Sequence, residues 1–284
     1  MTSQPQTNAV GLPKIIWILW LQGFELAPEL VRKCVHSWRH HNPDWKIILL
    51  DGKNLADHLD LDAITGPNRP TISPQHLSDI IRINLLAKYG GVWADAACFC
   101  CQPLDIWLKP AIASGFFAFA NPGPDRLLAS WFLGAEINNH LVQQHCRSVN
   151  QYWRTNHFDR QNTKLGRWLV RWLGKWLNTR PERAALWLHP RFISGLRLHP
   201  YFWFHYIFQQ VVTTDSRSGE IWRLTPKISA EWPHQLKRFG LLKPATIEIK
   251  AIIAEKREPL YKLNWRNGKA AAPDSVLAWL LNSI

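Results

Sequence analysis

No run in this 284-residue chain approaches the apolar length of a membrane-spanning helix, about eighteen residues. The opening stretch MTSQPQTNAVGLPK has no apolar h-region, so no secretory leader is expected. Cysteine is scarce and odd in number: Cys34, Cys98, Cys100, Cys101 and Cys146. Three of them crowd into 98–101 with no second Cys or His cluster at ligand spacing, which argues against a disulfide framework and against a zinc site. Buried, reduced cysteines on a strand are expected, in a cytosolic protein. With 15 Gly and 19 Pro the chain is neither collagen-like nor of low complexity. Acidic residues are short as well, 21 against 34 Lys and Arg, for a formal charge of +13. Hydrophobic residues make up 46% and charged residues 19%, enough for a sizeable core.

What is abundant is tryptophan, seventeen in all, and positive charge confined to one half. Residues 1–110 hold ten basic and ten acidic side chains, whereas 111–284 hold 24 and 11. Within 147–197 there are eleven basic residues, two acidic ones and five tryptophans. A neutral front half and a basic, aromatic rear half are the first division of the chain.

Local signals are clear in the front half. KIIWILW at Lys14–Trp20 reads as a buried strand. Pro28–His41 carries apolar residues at helical spacing, and Pro43 ends it. Trp45–Leu50 is a second strand, closed by the turn signal Asp51-Gly52; Thr65–Pro70 reads as a loop. Ser73-Pro74 opens a helix that Gly90-Gly91 stop after Tyr89, and Val92–Asp95 is a third strand. Strand, helix, strand, helix, strand predicts an α/β fold with a mostly parallel sheet.

Ligands bind such sheets at the carboxyl ends of the strands, which is where Asp95 stands. The preceding helix is apolar around most of its circumference, yet Ser78, Asp79 and Arg82 share one narrow sector. Charges on a buried helix are costly unless they are paired or line a cleft. An Asp79–Arg82 ion pair is one reading and a cleft wall the other. Trp17 and Trp20, three apart on a strand, face opposite sides, so at most one serves a given cleft; Trp20 lies nearer the strand's end.

The run LSDIIRINLLAKYGGVWADA, with PKIIWILW upstream, resembles the capsular polysaccharide synthesis protein family. It is also similar to the wider glycosyltransferases of family thirty-two that carry SDxxR…YGGxYxDxD, a group including yeast-type mannosyltransferases and glucosylating bacterial toxins. The likeness spans about 12–108, with weaker matches at WFLGAE, HPYFWFHYIF and YKLNW. It implies a GT-A, Rossmann-type fold with helices on both faces. Residues 12–110 would bind a nucleotide-diphosphate sugar, a UDP-sugar by preference, and a helical, basic part of the same domain, 111–284, would face acceptor and membrane.

By position in that resemblance, Trp20 would stack on the base, and Asp79 and Arg82 would hold sugar and phosphate. Asp95 would serve the ribose and a divalent cation, Mn²⁺ or Mg²⁺. The second acid of DxD falls at Ala97, which cannot bind metal. His205, Asp215 and His234 are candidate substitutes, with a core histidine the plainer reading of His205. Lys262 in YKLNW meets phosphate or is a surface lysine. Glu136 in WFLGAE falls where relatives line the acceptor side. The implied reaction is sugar transfer, with retention, to a polysaccharide or lipid-linked glycan. The competing reading, favoured by Ala97, is a non-catalytic nucleotide- or lipid-binding protein.

Lys164–Leu177 reads KLGRWLVRWLGKWL. At 100° per residue Lys164, Arg167, Arg171 and Lys175 share one arc, and Trp168, Trp172, Trp176 and the leucines lie across from it. That is the pattern of a helix in an anionic membrane interface or of one packed on its own core. No helix-turn-helix, zinc-finger or RRM signature accompanies the charge, so no nucleic-acid partner is expected. A cytoplasmic protein, peripheral on the inner membrane face, fits these features.

Overall fold

The structure, a computed structural model, describes residues 11–66, 72–161 and 163–284. Most of the stretch read for a leader, and 67–70 of the expected loop, lie outside the described residues. The front half runs β1 (Ile15–Leu19), α1 (Glu29–His41), β2 (Lys46–Leu50), α2 (Leu61–Thr65), α3 (Pro74–Tyr89) and β3 (Gly91–Ala94). All but α2 stand within about a residue of their expected bounds. The short α2 was not expected; it meets the expected loop only at Thr65, and Gly66 caps it at φ 56°. Ser73 caps α3 as its sequence signals: the hydroxyl accepts from the His76 amide, and Pro74 takes the first helical position.

Then come β4 (Cys98–Cys100), α4 (Leu104–Ala111), β5 (Phe116–Gly123) and β6 (Arg126–Ala135). Helices α5 (His140–Thr155), α6 (Lys164–Leu177), α7 (Pro181–Ala184), α8 (Pro190–Leu196), α9 (Trp203–Thr214) and α10 (Ser216–Leu224) follow. The chain ends through α11 (Leu236–Phe239), α12 (Ile247–Ala254), β7 (Leu260–Lys262) and α13 (Val276–Leu281). The rear half is therefore mainly helical, as expected, but it also supplies three strands that the sequence reading passed over. FFAFA in β5 is apolar at every position, and a buried run without alternation gives no period-2 signal.

The central sheet has the order β2-β1-β3-β6-β5. β1 pairs parallel with β2 and β3, while β6 runs antiparallel to both β3 and β5, so four of the five strands point the same way. The sheet crosses residue 110, and both halves of the chain build one core. Alternation divides that core into two faces. Trp17, Leu19, Trp93, Phe116 and Ala118 join α3, α5 and α9 on one side; Ile16, Ile18, Val92, Phe117 and Phe119 join α1 and α4 on the other. A small second sheet, β4 antiparallel to β7, lies over a third cluster with α12 and α13. All five cysteines are free and buried, and burial pushes the Cys98 and Cys100 thiols up to about 12.

The turn from α3 into β3 needs both glycines. Gly90 and Gly91 have φ of 65° and 90°, and a Cβ on Gly91 would stand 2.6 Å from the Ile15 carbonyl oxygen. Gly91→Ala should therefore lower stability by roughly 2 kcal/mol or more, from backbone strain and the clash together. Thermal unfolding reads this as a lower Tm, and an unchanged Tm would mean that β1 moves aside without cost.

Candidate active site

Asp95 immediately follows β3, and its amide donates to the Trp131 carbonyl on the neighbouring β6 at 2.9 Å. Helix α3 runs back along the sheet from this end, so its early turns bring Ser78, Asp79 and Arg82 to the same place. Asp79 and Arg82 are buried, 9% and 5% exposed. The guanidinium is enclosed by acceptors. Nε donates to the Ser78 carbonyl at 3.2 Å, Nη1 to the Ser130 carbonyl at 2.6 Å, and Nη2 to Ser78 Oγ at 3.0 Å. Nη1 also stands 3.1 Å from Asp79 Oδ1 and Nη2 3.3 Å from Asp95 Oδ1. The faces of Trp93 and Phe204 cover it at 5.1 and 6.0 Å.

Lys262 completes the array. The register Cys98↔Lys262 between β4 and β7 carries its Nζ to 3.1 Å from Asp95 Oδ2. Trp93 Nε1 donates to the other oxygen at 3.0 Å. Burial alone would raise the Asp95 pKa, but Lys262 and Arg82 outweigh it and hold the carboxyl below its usual value. Lys262 itself loses solvation, yet Asp95 keeps its pKa above the ordinary one. Asp79 goes the other way: burial pushes it up to about 6 against the pull of Arg82, with the Asp95 charge adding to the rise.

These residues floor a cleft of about 730 Å³. Trp20 and Trp265 stand on its wall with ring centroids 5.6 Å apart, edge to face. Trp17 is in the core, its Nε1 donating to the Gly90 carbonyl at 3.0 Å, so of the two only Trp20 reaches the cleft. His205 and His234 also line it. Burial lowers His205 well below the usual histidine range and His234 to about 4, so both are neutral at pH 7. His205 is buried among aromatic rings at the cleft edge, and His234 Nδ1 lies 3.2 Å from the Lys262 carbonyl.

Two candidates lie elsewhere. Glu136 follows β6 where Ala135 pairs with Gly91, at the end of the sheet opposite Asp95. The antiparallel direction of β6 puts it there, so it does not line this cleft. Asp215 caps α10 and meets His140 Nε2 at 2.9 Å, also outside the cleft lining.

The donor set fits a divalent cation poorly. Among the described residues no three His, Cys, Asp or Glu side chains gather to hold a metal. Ala97 lines the cleft without a donor, and the one carboxylate at the turn is already bracketed by Lys262 and Arg82.

Arg126 was missed by sequence reasoning. It opens β6 after the turn NPGPD, and its guanidinium lies 3.6 Å over the Phe202 ring at the cleft wall. Its Nε meets Asp125 Oδ1 at 3.0 Å, and Asp125 in turn accepts from the Tyr206 hydroxyl at 2.5 Å. Tyr201 and Ser130 line the same cleft. The Pro- and Gly-rich turn between two apolar runs was the available signal for this hairpin and for a cation at its exit.

Three comparisons bear on this geometry. The family described as Capsular polysaccharide synthesis protein matches residues 2–160. O-glycosyltransferase braB of Annulohypoxylon truncatum is 27% identical over 166 residues, 51% of this chain and 39% of that protein. Probable glycosyltransferase FCK3 of Fusarium pseudograminearum is 30% identical over 158 residues, 51% of this chain and 40% of that protein. The matches thus span about two fifths of these relatives' length. A solved chain, PaToxG Glycosyltransferase, superposes with a TM-score of 0.37 at 13% identity, covering 74% of this chain and 84% of that one, too distant to carry an argument.

The raised Asp79 pKa has a measurable sign. Between its ordinary 3.8 and about 6 the folded chain holds a proton that the unfolded chain releases. Stability from this group is full below the lower value, falls as pH rises through the window, and is flat above it. Denaturant unfolding of wild type and Asp79→Asn across pH 4 to 7 should show the wild type losing ground to the variant up to about pH 6. No relative loss across that window would mean that Arg82 keeps Asp79 ionised throughout.

Proposed function

Since the chain belongs to the capsular polysaccharide synthesis protein family, we propose that it is a glycosyltransferase of GT-A type using a nucleotide-diphosphate sugar, with a UDP-sugar favoured. The acceptor in this reading is a polysaccharide or lipid-linked glycan at the inner membrane face. The observation that carries it is the Asp79–Arg82–Asp95–Lys262 array, two buried and two half-buried side chains on the floor of a cleft whose wall holds two indole rings.

Each part has a role that its chemistry suits. Trp20, beside Trp265, offers a flat apolar face for the base. Asp95, kept ionised by its two cations, accepts from ribose hydroxyls. Asp79 accepts from the sugar of the donor and holds Arg82. As the bond between the anomeric carbon and the diphosphate breaks, negative charge grows on the leaving phosphate, and Arg82 and Lys262 are preorganised to meet it. The acceptor hydroxyl forms the new bond to that carbon, and its proton leaves with the departing phosphate. Both carboxylates near the reacting centre are tied to cations, an arrangement that supports the leaving group rather than an inverting base, and so favours retention. Ala97 and the poor fit for a divalent cation make these two side chains the charge carriers in this reading.

A thermal-shift panel of nucleoside diphosphates and nucleotide sugars, each with Mn²⁺, Mg²⁺ or EDTA, tests it. Ligand at about 100 times its Kd stabilises by roughly 2.7 kcal/mol, or roughly 5 °C for a chain of this size. One nucleotide should shift Tm with EDTA present, and Trp20→Ala should weaken that ligand by roughly tenfold or more. Asp95→Asn should abolish turnover of the donor sugar. A shift seen only with Mn²⁺ or Mg²⁺ would return the leaving-group role to a metal. Binding without turnover would support a non-catalytic nucleotide-binding protein, and no shift with any nucleotide would overturn the donor assignment.

A further inference from the structure

Helix α6 has two apolar surfaces with opposite fates. Leu177 is buried, and Val170 and Leu173 pack against the main core cluster. Gly166 faces the same way, where a Cβ would collide with the Arg160 carbonyl. Trp168, Trp172 and Trp176 stand one turn apart on another side and remain 56, 58 and 54% exposed, with Leu165 beside them. The first two indoles stack, centroids 6.1 Å apart and planes within 10°. Lys164, Arg167, Arg171 and Lys175, expected across the helix from the indoles, run instead beside this ridge, because 100° steps put Trp168 next to Lys175; all four are exposed, and the helix carries no acidic residue. Arg183 adds a guanidinium 5.3 Å over the Trp176 ring.

Aliphatic packing already anchors the helix, so the indoles are not needed to hold it down. Trp153 and Trp187, from the same basic segment, are buried; these three are not. An exposed apolar ridge of this kind marks a binding surface. The cations beside it select the partner: indoles settle at headgroup depth while lysine and arginine reach lipid phosphates.

We propose that α6 docks the protein on an anionic lipid surface, with the three indoles entering the headgroup layer and the four cations meeting phosphate. This names the surface of the acceptor reading above and rests on that reading only for its purpose; docking itself needs no sugar transfer.

The test uses the full chain with vesicles of phosphatidylcholine alone or mixed with phosphatidylglycerol, read by co-sedimentation and by tryptophan emission. Binding should appear on the mixed vesicles, accompany a blue shift, and weaken with salt. Replacing Trp168, Trp172 and Trp176 together by Ser should abolish it at an unchanged Tm. The separate variant Arg167→Gln, Arg171→Gln, Lys175→Gln should weaken binding by roughly a hundredfold. No binding to either vesicle would overturn the proposal, as would equal binding to both. Loss of cooperative unfolding in the Trp variant would return those rings to the core, and a ridge-dependent dimer that ignores vesicles would assign the surface to a second copy. Vesicle binding by a chain that shifts with no nucleotide would leave docking standing while the donor assignment fell.

Discussion

Arg82 enters the interior on a helix whose other faces are packed with isoleucine and leucine, and a guanidinium there is tolerable only if its donors and its charge are met. Asp79 and Asp95 meet the charge; Ser78 and Ser130 take further donors. Removing Arg82 would leave two carboxylates with too little positive charge, a change that costs about 3–5 kcal/mol for buried pairs generally. Helix α3 and strands β3, β6 and β7 converge on this array around the cleft. Each of these elements, or the segment next to it, supplies at least one partner to the array.

Asp95 is held between two cations from distant parts of the chain, which changes how the missing second acid reads. Where a metal would gather two carboxylates, this chain has Ala97 and a lysine delivered by the small β4–β7 sheet. The positive charge at this corner is built into the fold. It is preorganised, and the raised pKa of Lys262 keeps that side chain charged.

The tryptophans divide by job. Trp17, Trp93, Trp153, Trp187 and Trp203 are core residues; Trp20 and Trp265 face the cleft; Trp168, Trp172 and Trp176 face out. The same side chain, large and flat with one polar edge, serves packing, a ring platform and a surface ridge. Neutral front half and basic rear half are likewise one folded body, since β5 and β6 complete the sheet that β1 to β3 begin.

The front-half elements were legible because their signals are local: apolar runs for β1 and β2, a Ser-Pro cap for α3, and two glycines where φ must be positive. Asp95 at a strand end and the shared sector of Asp79 and Arg82 were legible for the same reason. What only tertiary structure decided is non-local. Strand pairing carried Lys262 to Asp95, a hairpin turned Arg126 into the cleft, and the antiparallel direction of β6 carried Glu136 to the far end. For α6 the 3.6-residue period showed one broad apolar arc, but not which part of it the core would meet. Aliphatic side chains took the contact and left the indoles in solvent, because helical periodicity defines a face and only packing chooses its neighbour.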